Sequence, residues 1–303
     1  MKYLIAAPDT QYFLWQVLVQ INNFIKNGLI NNTVYVIGIK DKPSEILSKI
    51  IEADLGCEFH LYQDIRVSPK YPSSLRPNIL KQYFNQFPEL QNEVFFYCDP
   101  DLLFVKGIDF SGMLDDDIWY LSNTRSYISS RYIKSKSEQL FLDMCRIVNI
   151  SPKKIVENDF NAGGAQYLLK NINSEFWEKV ERDSEILYQH MIATSKIYSP
   201  VSPIQAWTAD MWAVLWNGIF FNHDVKIHNE LSFAWATDKI NRLESCKLYH
   251  NAGAVVDDGR YFLKNKYKFS PFNEEISCSE DYCSAWYVDE IKDTKNKFPN
   301  LLF

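Results

Sequence analysis

The sequence predicts an α/β protein: a mostly parallel sheet with helices on both faces. Short β-type runs alternate with helix-patterned stretches through the N-terminal half, and turn residues separate them. An acidic pair, Asp99 and Asp101, also stands directly after the most strand-like segment. That is where such sheets collect ligands, at the carboxyl ends of their strands.

In order, a strand is expected over 3–7 and an amphipathic helix over about 11–26. A second strand over 33–39 leads through Pro43 into a helix over 44–53, and residues 58–62 read as the third strand. Pro69, Pro72 and Pro77 mark a turn-rich stretch before a helix over about 78–87 and a strand over 93–98. The later half is less regular. A strand is expected over 165–169, helices over about 174–194 and 204–216, and strand-like pieces at 231–235 and 246–250. With no repeat, low-complexity tract or flexible linker, residues 1–303 read as one domain with halves 1–125 and 126–303.

Composition narrows the function classes. Of 303 residues, 47% are hydrophobic and 23% charged, ordinary for a globular chain that can bury a sizeable core. Eight Trp, 18 Tyr and 20 Phe leave enough rings for a groove as well as a core, and sugar C–H faces stack on such rings. A net charge of −6 without a Lys/Arg-dense run does not indicate nucleic acid. The longest nearly apolar run, 212–221, falls well short of the roughly 20 residues that span a bilayer. Asp9 comes too early for a signal peptide, so a cytoplasmic protein is expected. Cysteines 57, 98, 145, 246, 278 and 283 show no CxxC spacing, which favours reduced thiols over a disulfide framework or zinc site.

Four stretches carry candidate chemistry. Asp99 and Asp101, two apart on extended backbone, can present both carboxylates to one side, a hard oxygen set suited to Mg²⁺ or Mn²⁺. The alternative is an ordinary Asp-Pro turn. Asn158-Asp-Phe-Asn-Ala-Gly-Gly-Ala165 places Asn161 where it can bond a hydroxyl, and Gly163 and Gly164 where backbone can approach a ligand; the plainer reading is a tight turn into a strand. Asp210, among Trp207, Met211 and Trp212 on an expected helix, suits a desolvated general base, or equally a cap or ion-pair partner. His250, ending a strand-like run before Gly253, is a candidate third metal ligand. Arg76 and Lys81 precede the acidic strand, and Lys264, Lys266 and Lys268 follow His250; all can meet a diphosphate, though the lysines also fit a solvated face. Ala7 and Pro8, at the carboxyl end of the first strand, are candidate nucleotide contacts by the strand-end rule.

The first strand, Asp99-Pro-Asp101, Asn161-Ala-Gly-Gly164, Asp210 and His250-Asn-Ala-Gly253, in that order, resemble the GT-A glycosyltransferase superfamily. The resemblance implies a Rossmann-like three-layer α/β/α fold with an elaborated C-terminal acceptor lobe. It makes 1–125 the nucleotide-binding half and 126–303 the donor-sugar and acceptor half. The DxD and His250 would bind the metal, and an acid at a helix start, here Asp210, would face the acceptor. More narrowly, Leu75-Arg-Pro-Asn-Ile-Leu-Lys-Gln-Tyr83, Cys98-Asp-Pro-Asp-Leu-Leu-Phe-Val105 and Trp207-Thr-Ala-Asp-Met-Trp212 look like the hydroxyproline O-arabinosyltransferase and peptidyl-serine galactosyltransferase groups. That implies a UDP-sugar donor and a hydroxyl acceptor. No HxxGxxKPW follows His250, so Lys264, Lys266 or Arg76 would take the place of the lysine expected on the diphosphate. Two other readings fit an acidic pair after a strand. A haloacid-dehalogenase-like phosphohydrolase is one, though Leu102-Leu103 stands where that family has Thr or Val; a non-catalytic carbohydrate-binding protein is the other.

Overall fold

The computed structural model describes residues 1–303. Its first half runs β1 (Lys2–Pro8), α1 (Gln11–Lys26), β2 (Thr33–Ile39), α2 (Glu45–Glu52), β3 (Glu58–Gln63), α3 (Leu75–Gln86), β4 (Phe95–Cys98), β5 (Leu102–Phe104) and β6 (Trp119–Asn123). The second runs α4 (Arg125–Ile128), α5 (Ser130–Lys136), α6 (Glu138–Val148), α7 (Pro152–Glu157), β7 (Gly163–Leu169), α8 (Ser174–Tyr198), α9 (Ala209–Phe220), β8 (Val225–Ile227), β9 (Phe233–Trp235), β10 (Leu248–His250) and α10 (Cys283–Lys297). The fold is mixed α/β, and its segments interleave into two compact units. A terminal unit holds Lys2–Leu61, Cys98–Phe110 and Glu230–Phe303; a middle unit holds Tyr62–Tyr97 and Ser111–Asn229, with Met1.

In the terminal unit β3, β2 and β1 lie side by side, with β1 and β2 parallel from Tyr3 opposite Thr33 to Pro8 opposite Gly38. Both strands are continuous apolar runs, and nearly every residue is buried, the pattern of strands covered on both faces. Helix α2 starts at Ser44, whose Oγ accepts from Leu47 N–H at 3.2 Å. A separate three-stranded sheet runs β5-β10-β9, antiparallel then parallel. Leu103, Ala234 and Tyr249 of this sheet pack with Trp15 and Leu18 of α1 and Tyr287 and Val288 of α10. That packing fixes α1 against β5, the strand that the acidic pair leads into.

In the middle unit the order is β4-β7-β6-β8, with β7 antiparallel to both neighbours and β8 parallel to β6. Helix α8 packs on α3 and α9. Its Trp177 meets Tyr97 edge to face at 5.3 Å, and Phe84 meets Phe95 the same way at 5.3 Å.

Three expected boundaries move. The helix expected from 78 begins at Leu75, because Pro77 falls in the first turn, where a missing N–H costs no helical bond. The helix expected over 204–216 is Ala209–Phe220, after a 3₁₀ turn at Ala206–Thr208. It runs through Gly218, where an added Cβ would come within 2.6 Å of the Trp119 ring. The strand expected from 165 starts at Gly163. All six cysteines are free, and no helix is long and apolar enough to cross a membrane.

Candidate functional site

The terminal unit brings three of the expected residues together. Asp99-Pro100-Asp101 joins β4 to β5, closed by Leu102 N–H donating to Asp99 O at 3.2 Å. The β5–β10 register sets His250 opposite Leu102, one residue past Asp101, and Asn251 N–H donates to Asp101 O at 3.1 Å. His250 Nε2 lies 3.3 Å from Asp101 Oδ1 and 3.7 Å from Asp99 Oδ2. One ligand atom from each residue falls within 4.8 Å of the others. Trp235, its neighbour across the β9–β10 pairing, stacks on the imidazole at 5.8 Å with planes 19° apart. Asp101 and His250 are buried and Asp99 is half-buried. Two carboxylates and an imidazole at this spacing are a ligand set that could hold Mn²⁺ or Mg²⁺.

Helix α1 holds this turn in shape. The Gln20 amide donates to Asp99 O at 2.8 Å and Leu102 O at 2.9 Å, and its own oxygen accepts from Tyr35 OH at 3.1 Å. One turn on, Asn23 donates to Phe104 O at 3.1 Å and accepts from Phe104 N–H at 2.8 Å. Two side chains on one helix face thus satisfy backbone at the first acid and just beyond the second. Gln20→Leu, nearly isosteric and fully buried, takes the side-chain donor from two carbonyls, of which Asp99 O keeps the bond from Leu102 N–H; we expect Mn²⁺ affinity to fall about tenfold, with about 1–3 kcal/mol of stability, in Mn²⁺ titrations followed by electron paramagnetic resonance and in urea unfolding.

Lys264 caps the cluster from the loop after β10. Its ammonium pairs with Asp101 Oδ2, so Asp101 sits between a lysine and a histidine. Burial alone would raise the Asp101 pKa, but Lys264 and His250 outweigh it and hold the carboxyl well below the usual range. Burial likewise opposes the Lys264 charge, and Asp101, with Tyr12 and Asp99, more than offsets it, so that pKa rises. Helix α1 anchors this loop too: Tyr12 OH donates to Asn265 Oδ1 at 3.0 Å and Trp15 Nε1 to Tyr267 O at 3.0 Å. Ala7 and Pro8 end β1, and the adjoining Asp9 accepts from Ser44 N–H at 2.7 Å, which joins that strand end to the start of α2.

Lys266 and Lys268 also lie in the terminal unit, Lys266 paired with Asp257 at 2.5 Å; the middle unit holds the remaining expected residues. Asp210, 8% exposed in the first turn of α9, pairs through Oδ2 with the Arg76 guanidinium of α3. Tyr71 Oη lies 2.7 Å from Asp210 Oδ1 and 2.6 Å from Trp207 O. Burial, then the Asp210 charge, pushes the Tyr71 pKa well above its ordinary value, so the phenol keeps its proton and donates. Arg76, expected at a diphosphate, is thus a partner of Asp210. Lys81, expected likewise, pairs with Glu181 Oε2 at 2.7 Å, a carboxylate that also accepts from Asn78 at 2.9 Å. Asn161 Oδ1 accepts from Ile227 N–H at 3.4 Å.

Gly163 and Gly164 open β7 and are buried, and what approaches them is the protein itself. A Cβ at Gly163 would lie 2.7 Å from both Leu121 Cβ and Ser122 O; one at Gly164 would lie 2.8 Å from Met211 Cε. The β6–β7 register shifts at Leu121/Ser122, and Ala165 takes φ 66°, so this strand start carries a local irregularity. Gly163→Ala should cost about 1–3 kcal/mol in urea unfolding, because one of its two closest neighbours is backbone and cannot swing away.

Residue chemistry did not single out Gln20, Tyr71, Trp235 or Asn251. Gln20 and Tyr71 act through contacts 79 and 139 residues away in sequence. Trp235 lies inside a strand-like piece three-quarters of the way along the chain, and Asn251 inside the stretch from His250 to Gly253, but residue type gives neither a role.

No family model matches the chain, and no curated protein matches it. Solved structures do. Galactosyltransferase LgtC, in complex with donor and acceptor sugar analogs, is 11% identical over 100% of both chains with a TM-score of 0.43. Glycosyltransferase GlyE of Streptococcus pneumoniae TIGR4 is 10% identical over 100% of this chain and 65% of its own, TM-score 0.44. A glycosyltransferase involved in glycosylation of the major capsid of PBCV-1 is 9% identical over 88% and 97%, TM-score 0.41. These structures are all glycosyltransferases. At such identities and scores, the chemistry assigned to this chain has to come from its own side chains.

Proposed function

We propose that the chain is a metal-dependent glycosyltransferase of GT-A type, moving a sugar from a nucleoside-diphosphate sugar, a UDP-sugar by the narrower resemblance, to a hydroxyl acceptor. The observation that carries the reading is the Asp99, Asp101 and His250 cluster, whose ligand atoms lie within 4.8 Å. When bound there, Mn²⁺ or Mg²⁺ would neutralise charge on the departing diphosphate. Lys264, already beside Asp101, supplies a second positive charge for the same phosphates. Trp235 and Asn251 hold the ligand set in place from behind. In the middle unit we assign Asn161 to the donor sugar, with Gly163 and Gly164 shaping the strand start beside it through their close packing on Leu121, Ser122 and Met211, and Asp210 to the acceptor hydroxyl. Arg76 and Tyr71 fix the rotamer of that carboxylate. Calorimetry with UDP- and GDP-sugars, with and without Mn²⁺, tests the reading. Metal-dependent binding of at least one donor, with slow hydrolysis of it, is expected; no metal-dependent binding to any would sink it. Binding without any hydrolysis would favour the carbohydrate-binding alternative.

A further inference from the structure

An open cavity of about 620 Å³ in the middle unit has a lining that includes Arg125, Arg131, Tyr132 and Phe160 and neither Arg76 nor Asp210. Its volume is that of a site for a small ligand of one or two sugar rings. Phe160 is 81% exposed, whereas most rings of this unit are buried. It is the third residue of the stretch from Asn158 to Ala165. A large ring held in water beside a cavity offers a stacking face to a saccharide, and Tyr132 contributes a second.

The charge in the cavity is specific. Arg125 and Arg131 are exposed and neither pairs with a carboxylate; the Arg125 Nε–H donates to Asn123 Oδ1 at 3.2 Å, which fixes the direction of its guanidinium. Asp159 also lines the cavity, but its oxygens accept from Ser130 N–H at 2.5 Å and Arg131 N–H at 3.3 Å. That carboxylate is already engaged by backbone donors and does not tie up either guanidinium. Lys136 is not part of the lining; its ammonium lies 5.3 Å over the Tyr132 ring and donates to Ser202 Oγ at 2.8 Å, so the positive charge of the cavity is that of the two arginines. Two planar guanidinium forks beside aromatic faces match a sugar that also bears a carboxylate or phosphate. The β6–β7 register sets Asn123 opposite Gly163, so Arg125 begins two residues beyond the partner of the glycine turn.

We propose that this cavity is an acceptor subsite for an anionic saccharide. The inference rests on the glycosyl-transfer reading for the word acceptor, and on the cavity alone for the ligand class. Ligand-observed NMR titration of the full chain, without metal or donor, compares glucose, glucose 6-phosphate, glucuronate and inorganic phosphate. At least one of the two acidic sugars should bind about tenfold more tightly than either glucose or phosphate. The Arg125→Ala/Arg131→Ala double variant should lower it to the level of glucose, and Phe160→Ala should weaken every sugar. Circular dichroism checks that these exposed changes leave the fold intact. Equal binding of glucose and both acidic sugars, phosphate binding as tightly as the better of the two acidic sugars, or a double variant indistinguishable from wild type each overturns the proposal. Metal-dependent UDP-sugar binding, read on the same samples, separates the two levels. Intact donor binding with no preference for acidic sugars sinks only the subsite, whereas lost donor binding in the unmodified chain sinks the transferase reading.

Discussion

Asp101→Asn should abolish measurable Mn²⁺-dependent binding of a UDP-sugar, raising the metal Kd about 100-fold or more. The carboxylate is 3% exposed and stands between His250 and Lys264, so no other acid can swing into its place. The same change removes the partner of the Lys264 ammonium. Breaking a fully buried pair costs about 3–5 kcal/mol; Lys264 keeps 26% of its side-chain surface in water, so about 1–3 kcal/mol is expected. Asp101→Asn with Lys264→Met should recover most of that stability and none of the metal binding, which separates the ligand role from the structural one. The pH dependence has a definite sign. A carboxyl whose folded pKa is depressed adds stability that is present above its unfolded value, about 4, and is lost as pH falls toward the lower folded value. Thermal melts of Asp101→Asn should therefore fall less steeply below about pH 4 than those of the wild type. An unchanged metal Kd would remove Asp101 from the ligand set.

Lys264→Ala separates two consequences of one contact. Because its ammonium occupies Asp101 Oδ2, it competes with any cation for that oxygen. Without donor, Mn²⁺ should bind the variant several-fold more tightly; with Mn²⁺ present, the UDP-sugar should bind about tenfold more weakly, since a phosphate contact is gone. Calorimetry in both orders of addition reads the two effects. A fall in both affinities would show that Lys264 only props the loop.

Why these groups meet was half legible. Helix α1 falls at 11–26 as its periodicity dictates, because an amphipathic stretch bounded by turn residues has one stable reading. The acidic pair and His250 stood out as residue types at strand ends. What made them a cluster did not: β5 and β10 are three residues each, too short to show alternation, and their antiparallel register alone sets His250 opposite Leu102. The glycines at 163 and 164 were visible, but their reason was not, since the clash they avoid is with Leu121, Ser122 and Met211 from β6 and α9. Helix α10 stayed hidden because its apolar residues, Tyr287, Val288 and Ile291, are few among charged ones and become core only against α1 and the β5-β10-β9 sheet.

Asp210→Asn should lower donor hydrolysis about 100-fold or more while metal-dependent donor binding stays within about twofold. Asparagine keeps the shape and the bond from Tyr71, and it removes the charge that an acceptor hydroxyl, or water in its place, would donate to. Arg76→Ala acts differently. It leaves the Asp210 carboxylate, 8% exposed, with Tyr71 as its remaining charge-stabilising donor among those described, and it cuts the tie from α3 to α9. The pair's side chains retain 20% and 11% of their surface, so the cost is about 1–3 kcal/mol, below that of a fully buried pair. Arg76→Lys should recover part of that, since it restores the charge but not the planar fork. The double-mutant cycle of Arg76→Ala and Asp210→Asn then divides the roles. A coupling of about 1 kcal/mol or more in unfolding, together with hydrolysis lost in Asp210→Asn but largely kept in Arg76→Lys, is the signature of a reactive carboxylate held by its neighbour. Coupling in stability with no loss of hydrolysis in Asp210→Asn would make the pair a strut between two helices and nothing more.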